Sequence, residues 1–331
     1  MTAGAILLLG DINIDSFWPV PEFPMPGRDG LVEEVKFEVG GAVLNTAIVL
    51  DRLGFKTSML SCLGRDRWAD QISDSLAESR IDLTTVQFHP TALTGINFTI
   101  VTPDGERTMF THRGANKYYD PGLIREEIFQ DADLLHISGY GLLESPQRDA
   151  VWRAVDLAKQ YSVPISVDTG LEPVIKQPED FRALVKDLTI CITGLEEVKA
   201  LYGSSTPEEA ADQLTRQGVK IAAIKLGSKG SLVANQGKQV RMPCFEVEVV
   251  DTTGAGDSFS AGLIYGWLND LRIEVTAILA SALGALATTV NGAGMALPGK
   301  RELANFLKTT AYPNVEWVNQ GIREILVVFE D

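Results

Sequence analysis

The stretch Asp251-Thr252-Thr253-Gly254-Ala255-Gly256-Asp257-Ser258-Phe259 contains the residue types that phosphoryl chemistry requires. Gly254 and Gly256 remove side chains where a loop turns into a helix, so the N–H groups of Gly254, Ala255 and Gly256 can converge on one point. With the positive end of the helix dipole, this makes an anion site. Asp257 falls in the first helical turn beside it. There a carboxylate can take the proton of an alcohol while the amides stabilise charge on a transferring group. Asp and Thr before a helix, with Gly in the loop, also describe an ordinary capped helix start. The Gly-x-Gly-Asp core taken alone fits either description.

The elements that must position this loop can be read on either side of it. Cys244–Val250 mostly alternates apolar and acidic residues, which predicts a strand, and Phe259–Leu268 is apolar enough for a buried helix. A second polar group follows the run Ala5–Gly10, which has the continuous apolarity of a strand buried on both faces. Asp11, Asn13 and Asp15 alternate just beyond it, pointing one way into the crevice where doubly wound sheets bind ligands, or forming an acidic surface turn. Gly40 and Gly41 precede a helix that ends at Gly54, and they allow close backbone approach to a ligand. Asn45, one helical turn after Gly41, needs a partner if buried.

From Asp133 onward, strand and helix repeat: strands at 134–139, 163–167 and 188–193, helices over 146–160 and from near Leu195. Asp168 ends a strand and either caps the next loop or lines the site, while His136 reads as a core histidine. Ile221–Val233 reads as strand, glycine turn, strand. Its Gly227/Gly230 loop, flanked by Lys225 and Lys229, either holds phosphate or ribose or is a solvated hairpin. Ile273–Val290 is a buried helix leading to Asn291-Gly292-Ala293-Gly294. The pattern predicts an α/β fold, a doubly wound, mostly parallel sheet flanked by helices. Two pieces interrupt it: a Pro- and Gly-rich one with partial alternation over Leu31–Phe37, and Thr94–Phe110 around the turn at 103–106. They predict a small β-sheet lid, or a pair of surface hairpins.

A chain of 331 residues with 45% hydrophobic and 22% charged residues suits one large enzyme domain. A net charge of −15 argues against a nucleic-acid partner, though a local nest of amides still binds a nucleotide on an acidic protein. Cys62, Cys191 and Cys244 are scattered, which argues against a disulfide framework and for a reducing cytoplasm. His89, His112 and His136 lack the spacing of zinc ligands. The N-terminal Met1-Thr2-Ala3-Gly4 has no basic region, and the apolar run after it is too short to span a membrane.

The whole string 251–259 resembles the C-terminal signature of the ribokinase-like (PfkB) family of sugar and nucleoside kinases, in which the Asp at the place of Asp257 is the catalytic base. Val39–Gly54 resembles the family's N-terminal signature, Gly-Gly-x-x-x-Asn followed by a helix and Leu-Gly. Gly10, Asn13 and Asp15 match Gly-x-x-Asn-x-Asp, and Cys62–Ala69 approaches Gly-x-Asp-x-x-Gly with Ala69 in the last position. The resemblance runs from about Gly10 to Gly294 and implies a single kinase domain over 1–331, with lid segments about 16–38 and 94–112.

The resemblance implies ATP-dependent phosphorylation of a small sugar or sugar acid, with the acceptor held by Asn13, Asp15, Gly40, Gly41 and Asn45. It places nucleotide contacts at Thr193, Lys225, Gly227, Lys229 and Gly230, and at Ser281, where ribokinase has an adenine-contacting Asn. Glu197 matches a residue acting through water on Mg²⁺, although Glu196 and Glu197 in a first helical turn also simply suit the dipole. Asp251 and Thr253 match positions for a monovalent cation such as K⁺. Two departures stand out. Ala42 replaces the Lys of ribokinase, which counts against ribose, and Gly194 replaces the Asn of the family's Asn-x-x-Glu. A nucleoside or inositol kinase, or a catalytically silent sensor, are the other readings. Several family members pair through their lids, so a homodimer is expected here.

Overall fold

The computed structural model describes residues 5–103, 107–310, 312 and 315–330. The first strand, Ala5–Leu9, pairs in parallel with Ala132–Ser138 on one side and Lys56–Leu60 on the other. Alternate residues serve opposite layers: Ile6 and Leu8 join the core beneath one set of helices, Leu7 and Leu9 the core beneath the other. The sheet has nine strands, in the order Lys238–Met242, Ser231–Asn235, Ile221–Lys225, Ile190–Gly194, Ile165–Asp168, Ala132–Ser138, Ala5–Leu9, Lys56–Leu60 and Ile81–Asp82. Only the two pairings made by Ser231–Asn235 are antiparallel, so the doubly wound, mostly parallel expectation holds.

One helical layer carries Ala42–Arg52, Ala255–Leu268 and Ile273–Ala287. The last two lie unusually close: a Cβ on Gly262 would stand 2.5 Å from Ala280 Cα. The other layer includes Gln147–Gln160, Leu195–Tyr202 and Pro207–Arg216.

The small sheet has the strand order Lys36–Gly40, Asn13–Pro19, Gly95–Val101, Arg107–His112, with a parallel central pair. Asp66 ties its root to the body. It caps the helix Arg67–Ser75 through the N–H groups of Trp68 and Ala69, both at 3.1 Å, and accepts from the N–H and hydroxyl of Thr94 at 2.8 and 2.9 Å.

Several local expectations need correction. Cys244–Val250 is not a strand: residues 243–249 have no ladder partner, because the preceding edge strand stops at Pro243, which has no N–H to donate. Its alternation survives as burial, with Phe245 inside and Glu246 outside. Leu31–Phe37 forms a strand only from Lys36; residues 31–35 pair with no strand and are largely exposed. The surface-turn alternative for Asn13 and Asp15 is set aside: both stand on the strand Asn13–Pro19 of the small sheet. Residues 104–106 of the expected lid turn lie outside the described residues. The strand Lys238–Met242 and the helices Lys300–Thr309 and Glu316–Glu330 were not anticipated. His136 is a core residue: its Nδ1 lies 3.1 Å from Ser166 Oγ, and burial pushes its pKa down to about 4.

Candidate active site

The loop 251–256 is braced before it meets any ligand. Asp251 Oδ1 accepts from the N–H and hydroxyl of Thr253 at 2.8 and 2.7 Å, and Oδ2 accepts from Gly292 N–H at 3.0 Å. Val250 N–H donates to Thr288 O at 2.8 Å, so this loop and the one after the helix Ile273–Ala287 form one unit. Gly254 takes a left-handed φ of 77° at the helix entry, a conformation that favours glycine. Ala255 N–H donates to Thr252 O at 3.3 Å. The N–H groups of Gly254, Gly256 and Asp257 have no protein acceptor among the described residues. An anion at this helix start is therefore met by those amides, with Ala255 already engaged.

Asp257 is held from the facing helix. Asn45 Nδ2 donates to its Oδ2 at 2.7 Å, and Asn45 Oδ1 accepts from Gly294 N–H at 3.0 Å. Thr46 Oγ1 donates to Asp257 O at 3.3 Å. Burial pushes Asp257 up to about 7, the Asn45 bond opposes the rise, and the charge of Asp168 adds to it. A carboxylate that titrates near neutrality suits a general base.

On its other side stands a fixed ammonium. Lys225 Nζ bonds both oxygens of Asp168, at 2.7 and 2.8 Å, and Ser260 Oγ donates to the same carboxylate at 2.9 Å. Asp168, left open by the sequence, thus stands between Lys225 and the helix that carries Asp257.

A second polar cluster is built on the small sheet. Asp15 pairs in register with Asn97, whose Nδ2 donates to Asp15 Oδ1 at 2.7 Å. Asn97 Oδ1 is buried without a hydrogen-bond partner among the described residues. Burial pushes Asp15 up to about 6; the Asn97 bond opposes this, and the charges of Glu38 and Asp251 reinforce it. Asn13 is oriented by Asn116, whose Nδ2 donates to Asn13 Oδ1 at 2.9 Å while its Oδ1 accepts from Ile12 N–H at 2.9 Å.

Asp11 grips Arg113 Nε and Nη2 at 2.8 Å each and takes Gln147 Nε2 at 2.9 Å. The space beside the paired glycines is filled by the chain itself. A Cβ on Gly40 would meet Asp15 Oδ2 at 2.1 Å, and one on Gly41 would meet Asp11 O at 2.3 Å. The glycines make room for this packing rather than leaving a gap for a ligand. Asn97, Asn116 and Arg113 were missed by sequence reasoning, because each acts through a partner some 80 or more positions away.

A cavity of about 520 Å³ opens beside Gly256, lined by Lys225, Gly227, Gly230, Ser231 and Ser281, with Phe245, Val247 and Phe259 as apolar walls. Ser231 and Ser281 hydroxyls lie 3.2 Å apart. Two anticipated contacts fall elsewhere. Lys229 is exposed and does not line this cavity. Thr193 is buried, its Oγ1 accepting from Thr169 Oγ1 at 2.9 Å.

Gly194 begins the turn into the helix Leu195–Tyr202, and a Cβ there would meet Glu197 Oε2 at 2.1 Å. The carboxylate of Glu197 therefore occupies the place a side chain at 194 would take. A free carboxylate beside a phosphate site fits a water-bridged Mg²⁺, a hard cation that keeps several waters. Asp251 and Thr253, expected at a monovalent cation, are bonded to each other, and Asp251 also to Gly292 N–H.

The sequence profile of the pfkB family carbohydrate kinases matches residues 4–300. A fructokinase from Solanum tuberosum is 27% identical over 319 residues, covering 93% of this chain and 97% of its own. A 5-dehydro-2-deoxygluconokinase from Bacillus cereus strain ZK / E33L is 28% identical over 285 residues, 82% of this chain and 86% of its own. Among solved structures, a ribokinase from Thermotoga maritima superposes with a TM-score of 0.79 at 26% identity, covering 92% of this chain and 99% of its own. With a profile match over nearly its whole length and the fold to go with it, the chain belongs to the pfkB family of carbohydrate kinases.

Proposed function

We propose that this kinase transfers the γ-phosphoryl group of ATP to a hydroxyl of a small sugar or sugar acid, with Asp257 as general base. The observation that carries the reading is the position of Asp257: at a helix start with unengaged amides, beside the 520 Å³ cavity, and oriented by Asn45 at 2.7 Å. Asp15, Asn13 and Asn97 read the acceptor's hydroxyls; Asn97 Oδ1, buried without a partner, gains one when a hydroxyl arrives. Asp257 takes the proton of the hydroxyl that points to it, the alcohol oxygen attacks the γ-phosphorus, and the bond from that phosphorus to the bridging oxygen breaks with its electron pair leaving on ADP. The N–H groups at 254, 256 and 257 stabilise the charge on the transferring oxygens. Glu197 would hold a Mg²⁺ through water, which when bound would neutralise charge on the phosphates, and Asp251 and Thr253 would hold a monovalent cation.

The whole chain acts as one kinase unit whose partners are ATP and the acceptor, with neither nucleic acid nor membrane involved. Among the described residues no helix is long and apolar enough to cross a membrane. The free thiols Cys62, Cys191 and Cys244 suit a reducing cytoplasm. We place a second copy on the outer face of the small sheet. In register, Phe37, Ser16, Phe98 and Phe110 form one row across it, with Phe37 41% and Phe110 58% exposed and Trp18 packed 4.8 Å from Phe98. A sheet face this aromatic is usually covered.

ADP release measured against sugars, sugar acids, inositols and nucleosides tests the reading. Turnover on a sugar or sugar acid supports it. Turnover confined to inositols or nucleosides moves the enzyme to that branch, and nucleotide binding with no turnover at all makes the protein a sensor.

A further inference from the structure

The strand Ala132–Ser138 lies between Ala5–Leu9 and Ile165–Asp168 in the large sheet, and all three run parallel. Leu9 stands beside Ile137 in register, and Ser138 beside Asp168. Their carboxyl ends are therefore level, along the edge where such sheets bind ligands. Asp11 follows the first of these strands, Asp168 ends the third, and Tyr140 rises between them from the turn Gly139–Leu142. Two glycines fix it there. A Cβ on Gly139 would stand 1.7 Å from Thr169 O, so the turns after the two strands are pressed together. Gly170 takes a left-handed φ of 73°, and a Cβ on it would meet Tyr140 Cε2 at 3.1 Å, so the ring is seated against bare backbone. The residue is nevertheless 38% exposed, and its hydroxyl has no hydrogen-bond partner among the described residues. A lone exposed tyrosine is ordinary. One fixed at the ligand edge with its hydroxyl unbonded is placed for a ligand.

Its surroundings are carboxylates. Burial raises the pKa of the phenol, and the charges of Glu172, Asp11, Asp168 and Asp257 raise it further, so Tyr140 stays a hydrogen-bond donor. Arg113 and Lys225, the cations beside two of these groups, are already engaged. Arg113 gives Nε and Nη2 to the two oxygens of Asp11, and Lys225 Nζ bonds both oxygens of Asp168. From this arrangement we infer that Tyr140 is a specificity-determining residue for the acceptor, its ring packing against the carbon skeleton of an uncharged sugar and its hydroxyl donating to one of that sugar's oxygens. The inference rests on the kinase reading above and narrows the acceptor from a sugar or sugar acid to a sugar without a carboxylate. A sugar's hydroxyls donate to carboxylates, and its C–H surface suits an aromatic ring with a polar tip. A carboxylate on the acceptor would instead meet like charge from Asp11, Asp168 and Asp257, with Arg113 and Lys225 held away from it.

Steady-state kinetics with paired acceptors and two substitutions test this. The best acceptor should be a sugar, and its kcat/KM should exceed that of the acid of the same skeleton by roughly 10²-fold. The acid is 2-ketogluconate where the sugar is fructose, and gluconate where it is glucose. Tyr140→Ala should raise KM for that sugar roughly 10–100-fold, with most of the loss in KM rather than kcat and with KM for ATP within about threefold of wild type. Tyr140→Phe keeps the ring and loses the donor, so KM for the sugar should rise roughly three- to tenfold. A sugar acid as the best acceptor would overturn the inference and leave the kinase reading standing. Equal losses for ATP and the sugar in Tyr140→Ala would also overturn it, because the ring would then only fill the turn over Gly170. Where Tyr140→Ala fails to fold, Tyr140→Phe decides, and an unchanged KM for the sugar in that variant counts against the inference. Turnover on no acceptor, or on inositols or nucleosides alone, would end the sugar kinase reading itself, and this inference with it.

Discussion

Asn45 Nδ2 stands 2.7 Å from Asp257 Oδ2, and the same amide's Oδ1 takes Gly294 N–H at 3.0 Å. One side chain in the family's N-terminal signature thus bridges the base of the C-terminal signature to the loop behind it. The bond favours the ionised carboxylate and opposes the rise that burial imposes. Asn45→Ala should therefore move the midpoint of the kcat–pH profile above the value near 7 expected for wild type. At pH 7 the variant should be slower by roughly tenfold, and much of the loss should be recovered at pH 9. A uniform loss at every pH would mean that Asn45 only shapes the loop.

Asp257→Asn keeps the shape and removes the base, so turnover should fall by roughly 10²–10⁴ with little change in either ligand's affinity. Retained turnover would end the assignment. The same variant should be more stable than wild type at pH 8. In the unfolded chain an Asp ionises near pH 4, whereas folded Asp257 keeps its proton to about 7. The folded state therefore binds the extra proton across that window, and wild type loses stability as pH rises through it. Asparagine has no such loss. Thermal unfolding curves of the two proteins should nearly coincide at pH 4 and separate by pH 8.

Asp15→Ala should weaken acceptor binding roughly 10–100-fold and leave ATP binding nearly untouched, because a hydroxyl loses a charged partner. Wild-type affinity for the acceptor should also decline below pH about 6, where Asp15 takes up its proton, and the variant should not show this decline. Equal losses for both ligands in titration calorimetry would assign Asp15 to the fold.

Gly194→Ala tests the Mg²⁺ assignment from the protein side. Its Cβ must displace the Glu197 carboxylate, now 2.1 Å from that point. The displaced group is the free end of a flexible side chain, so the melting temperature should hardly move. The Mg²⁺ concentration for half-maximal activity should rise instead. An unchanged Mg²⁺ dependence would remove Glu197 from the metal.

Phe110→Lys puts a charge into the exposed aromatic row of the small sheet. If a second copy covers that row, sedimentation equilibrium at micromolar concentration should find a dimer in wild type and a monomer in the variant. A wild-type monomer with full activity would show that the small sheet closes without a partner.

Much of this protein is legible along the chain, because local physics writes it there. Apolar runs such as Ala5–Leu9 and Ile190–Gly194 can only be buried strands, and Ile273–Ala287 can only be a buried helix. Gly254 marks a left-handed φ at the helix entry and Asp257 the helix's first turn, so a carboxylate beside a glycine-lined helix start follows from order and spacing. What the tertiary structure decided are the partnerships across large separations. Asn45 meets Asp257 from 212 positions away, and Asn116 orients Asn13 from 103. Asp168 locks Lys225 across a parallel sheet in which the strand Ile190–Gly194 lies between theirs. Cys244–Val250 had the alternation of a strand, but a strand also needs a neighbour with free N–H and C=O groups, and Pro243 ends the edge where one would pair. Periodicity records which side of a segment meets the core. Only the folded chain decides which distant side chain stands opposite, because that depends on sheet order and register rather than on any local pattern.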